Sequence, residues 1–183
     1  AQLSVNILLP DAVGKRLQRW AQRMPGASWP SWGGHVTLVP IFVPRVSVEE
    51  VRATLMVTCE KETPFAVRFG APLAVQDSTR PDFAALFLKI EEVTTNGDSE
   101  RLASLRRNLL AALAPIREDV RPQLTELPFL PHVTLALGLG ESEANKLVQQ
   151  MRVEPIAAEF RVDVIWLVMQ TFGEGGRFVR QPI

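Results

Sequence analysis

The sequence predicts an α+β fold, bilobal and pseudo-two-fold, with two antiparallel sheets forming a central cleft and helices on the outside. Three observations carry this. The order strand, helix, strand, helix occurs twice along the 183 residues. Hairpin-like strand pairs interrupt the alternation of strand and helix, which favours antiparallel over parallel βαβ pairing. Each half also carries the tripeptide His-Val-Thr at its second strand, and no linker or low-complexity segment divides the chain, so residues 1–183 read as one bilobal domain.

The elements follow in order. "LSVNILLP" is β-rich and partly alternating, so a first strand is expected over about 3–9. Asp11 can cap a helix whose apolar residues Val13, Leu17, Trp20, Ala21 and Met24 fall at helical spacing. "PGASWPSWGG" is a turn-rich loop. "HVTLVPIFV" reads as a strand, with Pro40 marking an edge position or a bulge. Ser47 and Glu50 form a capping box for a helix running to about Cys59. "PFAVRFG" and "PLAVQD" are short strands with a turn at "GAP" between them, and "DFAALFLKIEE" is another strand.

A helix is expected from about Asp98 to Asp119, with Leu102, Leu105, Leu109, Leu113 and Ile116 on one stripe. "HVTLALGLG" is the second half's His-Val-Thr strand, and Ser142 starts a short helix carrying Ala144, Leu147, Val148 and Met151. "PIAAEFRVDVIWLVMQTF" and "GRFVRQPI" close the chain as strands around the turn "GEGG".

Composition narrows the function. Twenty basic residues balance 20 acidic ones, which disfavours a broad electrostatic grip on a long polyanion. The single Cys59 leaves no intramolecular disulfide and no cysteine metal cluster; it reads as a small packed residue. No apolar run reaches the length of a spanning helix, and the first ten residues lack the pattern of a signal peptide. A soluble cytoplasmic protein with no membrane partner is expected.

The histidines say more. The chain has only His35 and His132, and each is followed by Val and then Thr. With 10 threonines in 183 residues, two random histidines would both have Thr at the second following position about once in 300 trials, an order-of-magnitude measure of the motif's false-positive risk. On a strand, residues i and i+2 share a face. His35 and Thr37 therefore project together while Val36 points into a core, and His132, Val133 and Thr134 repeat the arrangement.

Two imidazoles converging from two lobes suit acid–base work at a phosphorus centre. One can deprotonate a nucleophile while the other protonates a leaving oxygen, each worth about 10²–10⁴-fold. The threonine hydroxyls can donate to non-bridging phosphate oxygens. Nothing in this scheme requires a metal or another cofactor.

These paired motifs, "GGHVTLVPIF" and "PHVTLAL", resemble those of the 2H phosphoesterase superfamily, which includes cyclic nucleotide phosphodiesterases and 2′-5′ RNA ligase-like proteins. The first motif lacks the proline that precedes the second. The resemblance spans the chain, since that family's bilobal fold matches the duplicated order. It implies that His35 and His132 are the catalytic pair, that Thr37 and Thr134 are phosphate ligands, and that the substrate is a small cyclic phosphate nucleotide or an RNA end. The implied reaction is metal-free hydrolysis of a nucleoside 2′,3′-cyclic phosphate or ADP-ribose 1″,2″-cyclic phosphate to a monophosphate. A 2′-5′ ligase or RNA-end phosphodiesterase, and a nucleotide-binding module without turnover, are the alternatives.

Around the pair, Trp32 and Phe172 are candidates to stack on a nucleobase, with loop or strand packing as the plainer reading of each. Arg45 is a candidate phosphate contact, weighed against a solvated surface arginine. Two histidines plus a carboxylate could hold a metal, but neither motif has a neighbouring acid. The protein is expected to act as a monomer.

Overall fold

The computed structural model describes residues 1–24, 29–30, 32–77, 80–94, 100–171 and 178–183. Its core strands are β1 (Gln2–Leu8), β2 (His35–Pro44), β3 (Phe65–Asp77), β4 (Arg80–Glu92), β5 (Arg117–Asp119) and β6 (His132–Leu139). The last three are β7 (Glu159–Val162), β8 (Trp166–Gln170) and β9 (Phe178–Pro182). The helices are α1 (Asp11–Ala21), α2 (Val48–Cys59), α3 (Arg101–Leu113), α4 (Gln123–Glu126) and α5 (Glu141–Val153).

The strands run β7-β3-β4-β6-β2-β1-β8-β9, with β5 added beside β2. All pairs are antiparallel. That order is palindromic: β6 mirrors β2, β4 mirrors β1, β3 mirrors β8 and β7 mirrors β9. The two expected sheets are instead the halves of one continuous nine-stranded antiparallel sheet, because β2 and β6 pair with each other at the centre. Among the described residues one bridge pair makes the join, Val36 opposite Val133. The pseudo-two-fold axis passes between those valines.

The two His-Val-Thr strands bury their residues alike. Val36, Leu38, Val39 and Phe42 are buried on β2, and Val133, Leu135, Ala136 and Leu139 at the matching places on β6. Burying one valine is worth about 1.5–3 kcal/mol. A one-residue slip of either strand would expose its apolar set and bury His and Thr instead. The hydrophobic pattern therefore decides which face the histidines occupy. Behind the sheet, Leu17 and Ala21 of α1, Val51 and Leu55 of α2, four leucines of α3, and Ala144, Val148 and Met151 of α5 complete one core.

Several local expectations hold. Ser47 and Glu50 form the capping box reciprocally, Glu50 N–H donating to Ser47 Oγ at 3.2 Å and Ser47 N–H to Glu50 Oε2 at 2.9 Å. Pro40 sits in a bulge: between the pairs Leu3–Phe42 and Val5–Val39, β2 has two residues where β1 has one.

Others differ for physical reasons. Pro10 rather than Asp11 is the N-cap of α1, so Asp11 favours the helix through its charge in the first turn. "GAP" is a bulge inside one continuous β3, not a turn, because Pro72 onward re-pairs with the same partner β4. The long helix ends at Leu113; Pro115 lies in a 3₁₀ turn (Ala114–Ile116), and Arg117–Asp119 then pairs with β2. Gly140, not Ser142, is the N-cap of α5. The "PIAAEFRVDVIWLVMQTF" stretch is two strands, β7 and β8, in opposite halves of the sheet. The expected "GEGG" turn lies outside the described residues.

Candidate active site

The register around Val36 and Val133 fixes the site. In an antiparallel pair that places 36 opposite 133, His35 comes opposite Thr134 and Thr37 opposite His132. All four side chains share one sheet face, alternating as a square. The two imidazoles are near enough for His132 to lower the pKa of His35.

Each imidazole is held in the same way. The Nδ1 of His35 lies 3.2 Å from the Gly33 carbonyl, and that of His132 2.7 Å from the Leu130 carbonyl. A carbonyl only accepts, so each Nδ1 carries the proton and each Nε2 keeps its lone pair for the cleft. Gly33 has φ of +108°, a conformation that other residues seldom adopt, and this turn aims its carbonyl at the ring. A Cβ at Gly34 would approach the Trp29 ring to 2.6 Å, so the strand entry passes too close for any side chain.

An aromatic ring backs each histidine. Trp32 lies 3.9 Å from His35 between ring centroids, tilted by 33°. Phe87 of β4 stacks on His132 at 3.8 Å and 21°. Lys89, also half-buried on β4, is the direct cross-strand neighbour of His132. Burial pushes His35 down to about 4, and the nearby His132 adds to this, against the opposing pull of the Gly33 carbonyl. His132 is lowered too, by burial, with the Leu130 carbonyl pulling the other way. Both rings are therefore neutral at pH 7, and a bound anion would favour protonating one of them.

Beside His35 lies a cavity of about 230 Å³ whose lining includes Trp32, Thr37, Phe178, Gln2 and Gln170. Trp32 thus lines the cavity beside His35. Arg45 is not brought there. It is exposed beyond the far end of β2, ten residues from His35 and roughly 30 Å of strand away at about 3.3 Å per residue. Phe172 lies outside the described residues.

Sequence reasoning missed Phe87, Lys89 and the polar residues of β1. Their signal was alternation: Gln2, Ser4 and Asn6 take every second place on a strand whose other face is Leu3, Val5 and Ile7. Lys89 likewise interrupts the apolar run from Phe83 to Ile90 of β4. Among the described residues, no three His, Cys, Asp or Glu side chains cluster as a metal-binding group. No helix there is long and apolar enough to cross a membrane.

A symmetric sheet presenting two His-x-Thr strands side by side defines a 2H-type phosphoesterase architecture. The chain belongs to the 2′-5′ RNA ligase superfamily, whose family model matches residues 9–172. Among solved structures, E. coli LigT complexed with 3′-AMP is similar at 19% identity and a TM-score of 0.57, covering 100% of this chain and 94% of that one. E. coli LigT complexed with ATP is similar at 20% identity and a TM-score of 0.52, with the same coverage. No curated protein matches in a sequence search. Membership of this superfamily makes the chain an enzyme type that acts on phosphodiester bonds.

Proposed function

We propose that the protein is a metal-independent cyclic phosphodiesterase, hydrolysing a nucleoside 2′,3′-cyclic phosphate or ADP-ribose 1″,2″-cyclic phosphate to a monophosphate. The observation that carries this reading is the pairing of the two His-Val-Thr strands at Val36–Val133, which sets His35, Thr37, His132 and Thr134 on one sheet face with each imidazole held through its Nδ1. One neutral imidazole takes a proton from water as its oxygen bonds to phosphorus. The ring P–O bond breaks on the opposite side, and the other imidazole, protonated when the anionic substrate binds, delivers its proton to the leaving ribose oxygen. Thr37 and Thr134 donate to the non-bridging oxygens, and Lys89 beside His132 adds positive charge.

A second reading, 2′-5′ ligation or processing of RNA ends, draws support from the superfamily's description and from the nucleotides bound to E. coli LigT. Hydrolysis of 2′,3′-cyclic nucleotides with EDTA present, followed by phosphorus NMR from pH 5 to 9, tests the first reading. Turnover should persist in EDTA and vanish in His35→Ala and His132→Ala. Activity abolished by the chelator would overturn the mechanism, and absent turnover on either cyclic phosphate class would favour RNA ends.

A further inference from the structure

The catalytic square is symmetric, so by itself it does not say on which side of the phosphate a substrate's nucleoside lies. The floors flanking it are not symmetric. Asn6 opposes Thr37 and Phe87 opposes Thr134, which makes Asn6 and Phe87 equivalent positions. Stepping outward by two, β1 offers Ser4 and Gln2 where β4 offers Ala85 and Phe83. On the next strands, β8 sets Trp166, Val168 and Gln170 opposite Asn6, Ser4 and Gln2, and β3 sets Leu73 and Val75 opposite Phe87 and Ala85, so the polar difference lies in β1 itself and in Gln170. The β1 flank of the cleft thus carries Gln2, Ser4, Asn6 and Gln170, where the β4 flank carries Phe83, Ala85 and Phe87 with Lys89 beside His132.

The 230 Å³ cavity lies over Gln2, Ser4, Asn6 and Gln170, with Ile41 and Val168 also in its lining, and Trp32 and Phe178, with centroids 6.2 Å apart, stand at its wall. Trp32 is tied there by its stack on His35 and by Arg180, which donates to the Trp32 carbonyl at 3.2 Å. Asn6 and Ser4 are buried and bonded to each other at 2.9 Å, so they form the base of the floor. The Gln2 and Gln170 carboxamides have no hydrogen-bond partner among the described residues. They remain as paired donors and acceptors facing the cavity.

We infer that this cavity is a base-reading subsite for adenine, with the ring stacked on Trp32 and its polar edge held by Gln2 and Gln170. A glutamine carboxamide matches adenine bidentately, donating to a ring nitrogen and accepting from the exocyclic amine. Stacking supplies base-tolerant affinity. The carboxamides supply the choice, because a mismatched base leaves their half-buried donors and acceptors unpaired. This inference rests on the nucleotide reading of the cleft and deepens it, placing the nucleoside on the His35 side.

Calorimetric binding of the four nucleoside 3′-monophosphates and of inorganic phosphate tests it, alongside turnover of the four 2′,3′-cyclic nucleotides. The wild type should bind 3′-AMP about tenfold more tightly than the other three, within the range of one bidentate base contact. Gln2→Leu and Gln170→Leu should each bring the four to within about threefold of one another and leave phosphate affinity unchanged, which reports an intact fold. Equal binding of all four by the wild type, preference for another base, or an adenine preference that survives both substitutions would overturn it. Adenine-selective binding without turnover of any cyclic nucleotide would support the subsite while sinking the hydrolase reading.

Discussion

Acid should weaken the folded state through His35 in a way a single substitution can isolate. The fold holds this ring neutral, half-buried between Trp32 and the strand, with its pKa lowered from 6.5 to about 4. In the unfolded chain the same ring protonates near 6.5. Between those values the unfolded state binds more protons, so stability rises with pH there and is lost as pH falls. Above about 6.5 the penalty is absent; below about 4 it is complete. A fall from 6.5 to about 4, at about 1.36 kcal/mol per pH unit, amounts to roughly 3 kcal/mol. His35→Asn keeps a donor for the Gly33 carbonyl and removes the titration. Urea unfolding of both proteins at pH 7, 5.5 and 4 should show the wild type losing about 2–3 kcal/mol relative to the variant. Parallel stability curves would refute the claim that burial holds this imidazole neutral.

Other outcomes follow from the same geometry. The rate needs one imidazole neutral and one protonated, and both are lowered from 6.5. The profile of kcat/KM should therefore peak on the acid side of 6.5, and that of kcat should lie at higher pH because bound phosphate favours imidazolium; a kcat/KM optimum at alkaline pH would contradict this. Thr37→Val and Thr134→Val should each lower kcat by about 10²-fold with the fold retained in circular dichroism, whereas unchanged rates would remove the hydroxyls from the phosphate. Gly33→Ala, placed at φ of +108°, should cost about 1–3 kcal/mol in thermal unfolding. Ser47→Ala, which breaks the capping box far from the cleft, should cost about 1 kcal/mol and leave turnover as it was.

The site was legible because it is built from alternation. His-Val-Thr on a strand needs no tertiary knowledge to put His and Thr on one face, and two copies in a chain with two histidines imply convergence. The same holds for Pro40, whose missing N–H demanded a bulge or an edge, and for the Ser47–Glu50 box, which is purely local. What the residues did not disclose is partnership between distant segments. "GAP" becomes a bulge only because β4 is long enough to pair on both sides of it. β7 and β8 look like one strand until β3 claims one part and β1 the other. Phe87 acquires its role from lying opposite Thr134, a register that no local pattern specifies.

The Val36–Val133 pair puts the chemistry at a fulcrum. Any breathing of one lobe's sheet against the other, taken about this join, sweeps widely at β7 and β9 and hardly at all between the histidines. The histidines therefore sit where any relative turn of the two halves displaces atoms least, as a rivet hardly moves while the blades of shears travel far.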